Sequence, residues 1–168
     1  HWGGDVNDRP AGPDVRLLPY EAAFEQRWED LVASSDTGTV LQTRRFLAYH
    51  GTRFDDLSVM QVDAASGQLL AVMPAARHPA QADLVVSHPG STFGGLIMRR
   101  PDPAAYAETF QAVRAHFRAL GFATLRLKTT PAFVGNQFDA VAVHHGLRHG
   151  KLVRADLWNA IQLTSPYK

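Results

Sequence analysis

The chain has 168 residues, of which 45% are hydrophobic and 20% charged, as is typical of one globular domain with a sizeable core. Its formal net charge of +1 gives no reason to expect nucleic acid or an anionic membrane as a partner. The absence of cysteine excludes disulfides, thiolate catalysis and cysteine-based zinc sites. Because no apolar run approaches the ~20 residues of a membrane span and the N-terminus lacks signal features, we expect no membrane span and a cytoplasmic location.

The N-terminal third of the chain predicts an arm, one strand and two helices. Residues 1–13 are rich in Gly, Pro, Asp and Asn without periodicity, so we expect a flexible arm there and a single domain over residues 14–168. A short strand is predicted at residues 15–18. The helical spacing of apolar residues predicts helices at residues 21–33 and 42–50.

A hairpin and a linker are predicted next. Residues 57–62 alternate between apolar and polar, a turn-forming segment follows, and residues 69–73 return as a second strand. Residues 74–82 show neither strand nor helix periodicity, so we predict a linker that leads into the next apolar run.

The most distinctive stretch is residues 84–98, where apolar runs at both ends flank a polar, glycine-rich turn. We predict two buried strands, at residues 84–86 and 96–98, joined by this turn. Gly94 and Gly95 lie where a strand should already have begun, which indicates a bulge or a close backbone approach. Two interpretations stay open: a tight hairpin with a bulge, or a ligand floor whose bare N–H groups meet a carbonyl or phosphate oxygen.

The helix predicted at residues 103–120 is the most clearly delimited element. Asp102 is placed to cap it, Pro103 suits its first turn, and Gly121 suits its end. One face carries an apolar stripe that we expect to pack in the core, formed by Tyr106, Phe110, Val113 and Phe117.

The C-terminal part predicts a strand, a short helix and a closing strand. The strand at residues 124–127 leads to Lys128, residues 138–145 form a helix that stops at Gly146, and residues 152–163 form the closing strand. The whole order predicts an α/β fold with a mixed, largely antiparallel sheet flanked by helices. The sequence contains no G-x-G-x-x-G or Walker motif for nucleotide binding.

Several segments, in this order, resemble the N-terminal half of FemAB-like proteins, which belong to the GNAT acyltransferase superfamily. These segments are residues 28–32, 41–50, 69–74, 87–95, 126–131 and 154–161. The resemblance covers roughly residues 15–163, and its most specific part is Ser-His-Pro-Gly-Ser-Thr-Phe-Gly-Gly at residues 87–95. It implies a GNAT-like fold.

The resemblance also implies an N-acyltransferase that moves an acyl or aminoacyl group to an amine of a peptide, amino sugar or amino acid. It implies acyl-CoA or aminoacyl-tRNA as the donor, and a second GNAT-like domain or a homo-oligomer as the partner. Two features depart from the family. The sequence lacks the Gln/Arg-x-x-Gly-x-Gly/Ala loop that binds the pyrophosphate of acetyl-CoA in ordinary GNAT enzymes, and it ends at Lys168, where a second domain should begin.

These departures leave a second function open, that of a non-catalytic peptide- or protein-binding module that keeps the GNAT-like fold. The two functions differ in what they require of a partner. An enzyme needs a second half that restores turnover, whereas a module binds a peptide or protein without turnover. Because phosphate contacts require clustered cations, the near-neutral charge disfavours nucleic acid as a partner of this half alone.

His88 is the candidate catalytic residue, because imidazole titrates near neutral pH, and the alternative is a hydrogen-bonding role within the loop. Ser87 beside it forms no nucleophilic dyad, since neighbours on a strand point to opposite faces. Ser91 and Thr92 could donate to a ligand or bond their own backbone. Lys128 follows a strand end, where it could contact an anionic substrate group or extend into solvent.

Arg44 and Arg45 could supply positive charge to a phosphate or carboxylate, and Gln42 could cap its helix or bind a ligand. We expect the acceptor along residues 87–95. The full set of candidate substrate-binding residues is Gln42, Arg44, Arg45, Ser87, Ser91, Thr92, Gly94, Gly95 and Lys128.

Three histidines near the C-terminus raise the question of a metal site. His144 and His145 are adjacent and cannot share a helix face, and pairing His145 with His149 would need a helix that continues through Gly146. No carboxylate lies at the usual partner positions, so we predict no metal site.

Overall fold

The structure is a computed structural model that describes residues 14–99, 102–131 and 139–156. The arm predicted at residues 1–13 lies outside these ranges, as does the part of the predicted closing strand beyond residue 156. Within them the chain is a mixed α/β structure, with antiparallel and mixed sheets flanked by helices, which confirms the predicted fold class.

The first part of the fold is one strand followed by two helices with short 3-10 turns around them. In order, these are β1 (Val15–Pro19), a 3-10 turn (Ala22–Phe24), α1 (Glu25–Ser34), a 3-10 turn (Val40–Gln42), α2 (Arg44–Ala48) and a 3-10 turn (Gly51–Arg53). The second helix is shorter than predicted, because Thr43 is its N-cap and accepts a hydrogen bond from the backbone N–H of Phe46 at 3.1 Å.

The remaining elements are mostly strands. In order, these are β2 (Val59–Asp63), β3 (Leu69–Met73), β4 (Ala76–His78), β5 (Gln81–Val86), β6 (Ile97–Met98), α3 (Pro103–Ala119), β7 (Thr124–Arg126) and α4 (Asp139–His149). The first sheet has the order β1-β2-β3-β6 and is antiparallel throughout. The second has the order β4-β5-β7, in which β5 pairs antiparallel with β4 and parallel with β7.

The predicted hairpin of residues 84–86 with residues 96–98 is wrong. β5 belongs to the second sheet, whereas β6 crosses to the first sheet and pairs with β3, with Met98 opposite Ala71. The linker predicted at residues 74–82 is also wrong, because it contains β4 and the start of β5. β4 was not predicted because its sequence, Ala-Arg-His, contains no β-branched residue and no alternation of apolar and polar residues.

Helix α3 begins and ends as predicted. The Asp102 carboxylate accepts a hydrogen bond from the Ala105 N–H at 2.9 Å, and Gly121 has a φ of +86° just after the last turn. Two C-terminal predictions fail. α4 does not stop at Gly146 but continues to His149, and residues 152–156 form no strand.

The core has two layers, one on each side of the first sheet. α1 packs Trp28, Leu31 and Val32 against one side, and α3 packs its apolar stripe against the other. Successive strand residues alternate between the two layers, so that Ile97 joins the α1 layer and Met98 the α3 layer. None of the helices in the described ranges has the length and apolar character needed to cross a membrane.

Candidate functional site

The loop at residues 87–96, hereafter the 87–96 loop, starts at the carboxyl end of β5, beside its parallel neighbour β7. The Ser87 N–H donates to the Arg126 carbonyl at 2.9 Å, and the Ser87 hydroxyl accepts from the Lys128 N–H at 2.8 Å. The Gly94 N–H donates to the Lys128 carbonyl at 2.7 Å. The loop is therefore bonded at both ends to the segment that follows β7.

The two glycines of this loop serve different purposes. A Cβ on Gly94 would lie 2.6 Å from the Ser87 carbonyl oxygen, so Gly94 allows a close backbone approach and its N–H is already bonded. Gly95 has a φ of +105° and lines a cavity of about 10 Å³, room for about one water molecule, together with Thr129, Thr130 and Tyr106. Both predicted floor residues are buried and line this cavity, but the Gly94 N–H is bonded to the Lys128 carbonyl and is not available to a ligand.

His88 is buried, with 4% of its surface exposed, and it holds the left-handed backbone conformation at a φ of +62°. Its ring centroid lies 5.2 Å from that of His50 and 5.3 Å from that of Phe54. Within the described residues, its Nδ1 atom and the Nε2 atom of His50 have no hydrogen-bond partner. Such strain in a residue other than glycine is found mainly where the surrounding structure fixes it, often at functional sites.

Burial, followed by the neighbouring His50, lowers the pKa of His88 to about 4. The imidazole is therefore neutral near pH 7 and becomes protonated only at acidic pH. A general base works best when its pKa lies near the operating pH, so this environment is unsuited to deprotonating an amine.

The ammonium group of Lys128 lies inside the loop rather than at a free strand end. Its Nζ donates to the carbonyl oxygens of His88 at 3.1 Å, Pro89 at 3.3 Å and Ser91 at 2.6 Å. Burial, with smaller contributions from Arg126 and Arg154, lowers the pKa of Lys128. The three contacts account for the three ammonium hydrogens, so Lys128 stabilises the loop backbone.

Gln42 is fully buried at the base of the loop and caps its own turn. Its Oε1 accepts from the Thr39 N–H at 2.8 Å and from the Thr39 hydroxyl at 2.6 Å, which forms a capping box. Its Nε2 lies 3.5 Å from the Thr130 hydroxyl, and its carbonyl accepts from the Trp28 indole N–H at 2.7 Å. The Ser91 hydroxyl donates to the Leu41 carbonyl at 3.4 Å.

The two candidate arginines differ in exposure. The Arg44 guanidinium pairs with Asp56, donates to the Ser58 hydroxyl at 3.1 Å and lies 3.7 Å from the Tyr20 ring centroid. Although burial acts to raise it, hydrogen bonds from Arg44 and Ser58 hold the pKa of Asp56 below its usual value. Arg45, like Thr92 of the loop, is exposed to solvent.

The rings of His145 and His149 contact aromatic side chains of α3. Because α4 is continuous, His145 and His149 do lie one turn apart, with their rings near Tyr106 at 6.0 Å and Phe110 at 6.4 Å. The Nε2 atom of His149 is 2.8 Å from the Gln111 amide nitrogen. In the part of the chain that the structure describes, no group of three His, Cys, Asp or Glu residues could hold a metal ion.

His50, Thr129 and Thr130 are the site residues that the sequence predictions missed. His50 is 38 positions before its ring partner in the sequence, so only the fold brings the two imidazoles together. Thr129 and Thr130 follow the end of a strand directly after Lys128. Their position at a strand end, which made Lys128 a candidate, could have identified them as well.

The fold and site define a mixed α/β domain with a constrained polar loop at the carboxyl end of a parallel strand pair. No family model matches this sequence, and no curated protein matches it either. The functional argument therefore depends on the residues and their geometry.

Proposed function

We propose that this chain is a GNAT-like domain that takes part in acyl or aminoacyl transfer to an amine, with its acceptor site along the 87–96 loop. The observation that carries the proposal is the position of this loop at the carboxyl ends of the parallel pair β5 and β7. In open α/β sheets, ligands bind outside the carboxyl ends of the strands. The α/β fold is compatible with the GNAT-like layout that the resemblance implies.

Transfer to an amine requires an unprotonated amine, an aligned donor carbonyl and a stabilised oxyanion. Gly95, Thr129 and Thr130 line the cavity, which has room for about one water molecule, so they can contact a single small polar atom of a ligand, such as a carbonyl oxygen. His88 does not supply the base, because its pKa of about 4 is too low for that task. The proposed mechanism therefore relies on positioning, with the amine losing its proton to solvent.

A second half would complete the site. Leu152 and Val153 follow α4 and are exposed to solvent, and exposed apolar groups of this kind often mark contact surfaces. This supports the proposed partner, which is a second GNAT-like domain or another copy of the chain. Acyl-CoA and aminoacyl-tRNA both remain proposed donors.

A second candidate function is a non-catalytic module that binds a peptide or protein at the same loop. The observation that favours this function is that the two partly buried candidate cations, Lys128 and Arg44, already have partners within the chain. Lys128 is bonded to three loop carbonyls and Arg44 to Asp56, so neither is directed to a substrate anion. The polar groups of the loop mainly stabilise one another, as a rigid binding surface requires.

The proposal can be tested with the isolated 18.5 kDa chain by NMR and by a transfer assay. We expect acyl-CoA or aminoacyl-tRNA to shift the amide resonances of Gly95 and Thr129, and thiol release or tRNA deacylation to depend on an added amine. Thr129→Val removes a hydroxyl at the cavity and should weaken binding about tenfold, as expected for one lost hydrogen bond.

Thr52→Val is the matched control, because Thr52 is exposed on the turn that follows α2 and does not line the cavity. Amide shifts with a peptide but none with either donor would favour the binding module. Shifts confined to residues away from the loop would contradict both functions.

A further inference from the structure

Two surfaces of opposite charge lie on α1 and α4, whose buried residues belong to different layers of the core. α1 covers one side, and its C-terminal part borders an open groove of about 410 Å³. α3 covers the other side, and α4 packs against α3 with part of its own surface left exposed. The groove therefore borders α1 in one core layer, and the exposed part of α4 belongs to an element of the other layer.

The groove is acidic with an apolar edge. Glu29 and Asp30 line it, and no Lys, Arg or His is among its lining residues in the described part of the chain. The Glu29 carboxylate accepts the backbone N–H of Arg45 at 3.0 Å, and the Asp30 carboxylate accepts from the exposed Gln26 amide at 2.9 Å. Val40 lines the groove and is 66% exposed, which is unusual for a valine in a folded domain.

The exposed part of α4 has the complementary character. Val143 is 44% exposed and Leu147, one turn later, is 52% exposed, so the two form an apolar strip along the helix. Arg148 and Lys151 flank this strip and are exposed. Neither cation makes an ion pair within the described residues. We call Val143, Leu147, Arg148 and Lys151 the α4 surface.

We propose that the α4 surface of one molecule docks into the acidic groove of a second copy of the same chain. Leu147 then packs near Val40, and Arg148 lies against Glu29 or Asp30. Two α4 surfaces repel each other because both are basic, so the contact joins unlike surfaces, the α4 surface of one molecule and the groove of another. This inference does not depend on the proposed transferase activity.

A contact between unlike surfaces allows two kinds of assembly. Two molecules that each place their α4 surface in the other's groove form a two-fold dimer, whereas head-to-tail contacts leave one groove and one α4 surface free for further copies. The head-to-tail product is a ring if the rotation closes and an open chain if it does not. Because both surfaces are small and charged, the contact should be salt-sensitive.

Light scattering on the full chain, over a range of concentrations and at low and high salt, tests the proposal. We expect the mean mass to increase with concentration at low salt and to decrease towards the monomer at high salt. Arg148→Glu should weaken association on the order of tenfold. Arg118→Glu is the matched control, since Arg118 occupies the same last-turn position on α3 but lies outside the α4 surface.

A charge exchange makes the test specific. Asp30→Lys and Arg148→Glu should each weaken self-association. An equal mixture of the two variants should associate more strongly than either alone, because the lysine introduced in one chain meets the glutamate introduced in the other across the contact. A chain that is monomeric at every concentration would overturn the proposal. So would association that Arg148→Glu leaves unchanged, or that the control variant weakens equally.

Discussion

Lys128 contributes to the candidate site by fixing the shape of the 87–96 loop. Three parts of the loop, at His88, Pro89 and Ser91, direct their carbonyl oxygens to one ammonium group. A charged donor strengthens each of these hydrogen bonds and compensates for the desolvation of the ammonium. The same arrangement leaves three carbonyls without this donor if the lysine is replaced.

We expect Lys128→Met to lower the free energy of unfolding by about 2 kcal/mol, since hydrogen bonds to charged groups contribute roughly 1.5–3 kcal/mol. Urea denaturation measures this change, and amide hydrogen exchange should accelerate within the loop. Lys151→Met is the control, because Lys151 is exposed and should change stability by less than about 0.5 kcal/mol. Equal stability of the two variants would contradict the assigned role of Lys128.

His88 makes stability depend on pH. In the folded chain its pKa is about 4 because of burial and the neighbouring His50, whereas in an unfolded chain a histidine pKa is about 6.5. Below pH ~6.5 the unfolded state therefore binds a proton that the folded state does not bind. The free energy of unfolding that this pKa difference contributes is fully present above pH ~6.5. It decreases as the pH falls from ~6.5 to ~4, and it does not change further below pH ~4.

His88→Asn isolates this effect, because asparagine tolerates a positive φ and does not titrate. After allowance for solvent screening, we expect the loss of unfolding free energy between pH 7 and pH 4 to be about 2 kcal/mol smaller in the variant. Urea denaturation at the two pH values measures it. The same pH dependence in both proteins would show that His88 does not titrate in this way.

The sequence predicted the backbone geometry of the 87–96 loop better than the contacts of its side chains. Gly94 and Gly95 stood out because glycine is out of place in a strand, and a close backbone approach is what the structure shows at Gly94. The contacts of Lys128 could not be predicted, because they depend on the path of a loop about 40 residues earlier in the chain.

At the scale of elements, α3 shows how local signals can delimit a helix. Asp102 and Gly121 act through the backbone beside them, so their effect does not depend on the rest of the fold. The predicted hairpin was wrong because strand pairing, unlike a helix cap, depends on distant parts of the chain. An apolar run identifies a buried strand but not its partner, and the partners of β5 are β4 and the distant β7.

The cap of α3 can be tested directly. We expect Asp102→Ala to lower the free energy of unfolding by about 1 kcal/mol, because the Ala105 N–H loses its acceptor. The midpoint of urea denaturation measures the change. Glu108→Ala, at an exposed position within the same helix, should stay within about 0.5 kcal/mol of the unmodified chain. A larger loss for Glu108→Ala than for Asp102→Ala would contradict the capping assignment.

At the scale of the whole molecule, a net charge of +1 conceals an uneven distribution of charge. Glu29 and Asp30 lie beside an open groove at α1, whereas Arg148 lies in the last turn of α4 and Lys151 follows that helix. Bulk composition could not reveal this separation, because it appears only once α1 and α4 are assigned to different layers of the core. The same near-neutral total is therefore compatible with charge-directed contacts between copies.

The parallel pairing of β5 with β7 also bears on the order in which the domain folds. Leu84 pairs with Thr124, 40 positions later, whereas β2 and β3 are antiparallel neighbours that lie much closer in sequence. Closing the longer loop costs more chain entropy and needs α3 in place between the two strands. The 87–96 loop can acquire its bonds to Lys128 only after that step. The candidate site therefore forms later than the β2–β3 pair, and partial unfolding that detaches α3 and β7 would dismantle it while leaving β2 and β3 paired.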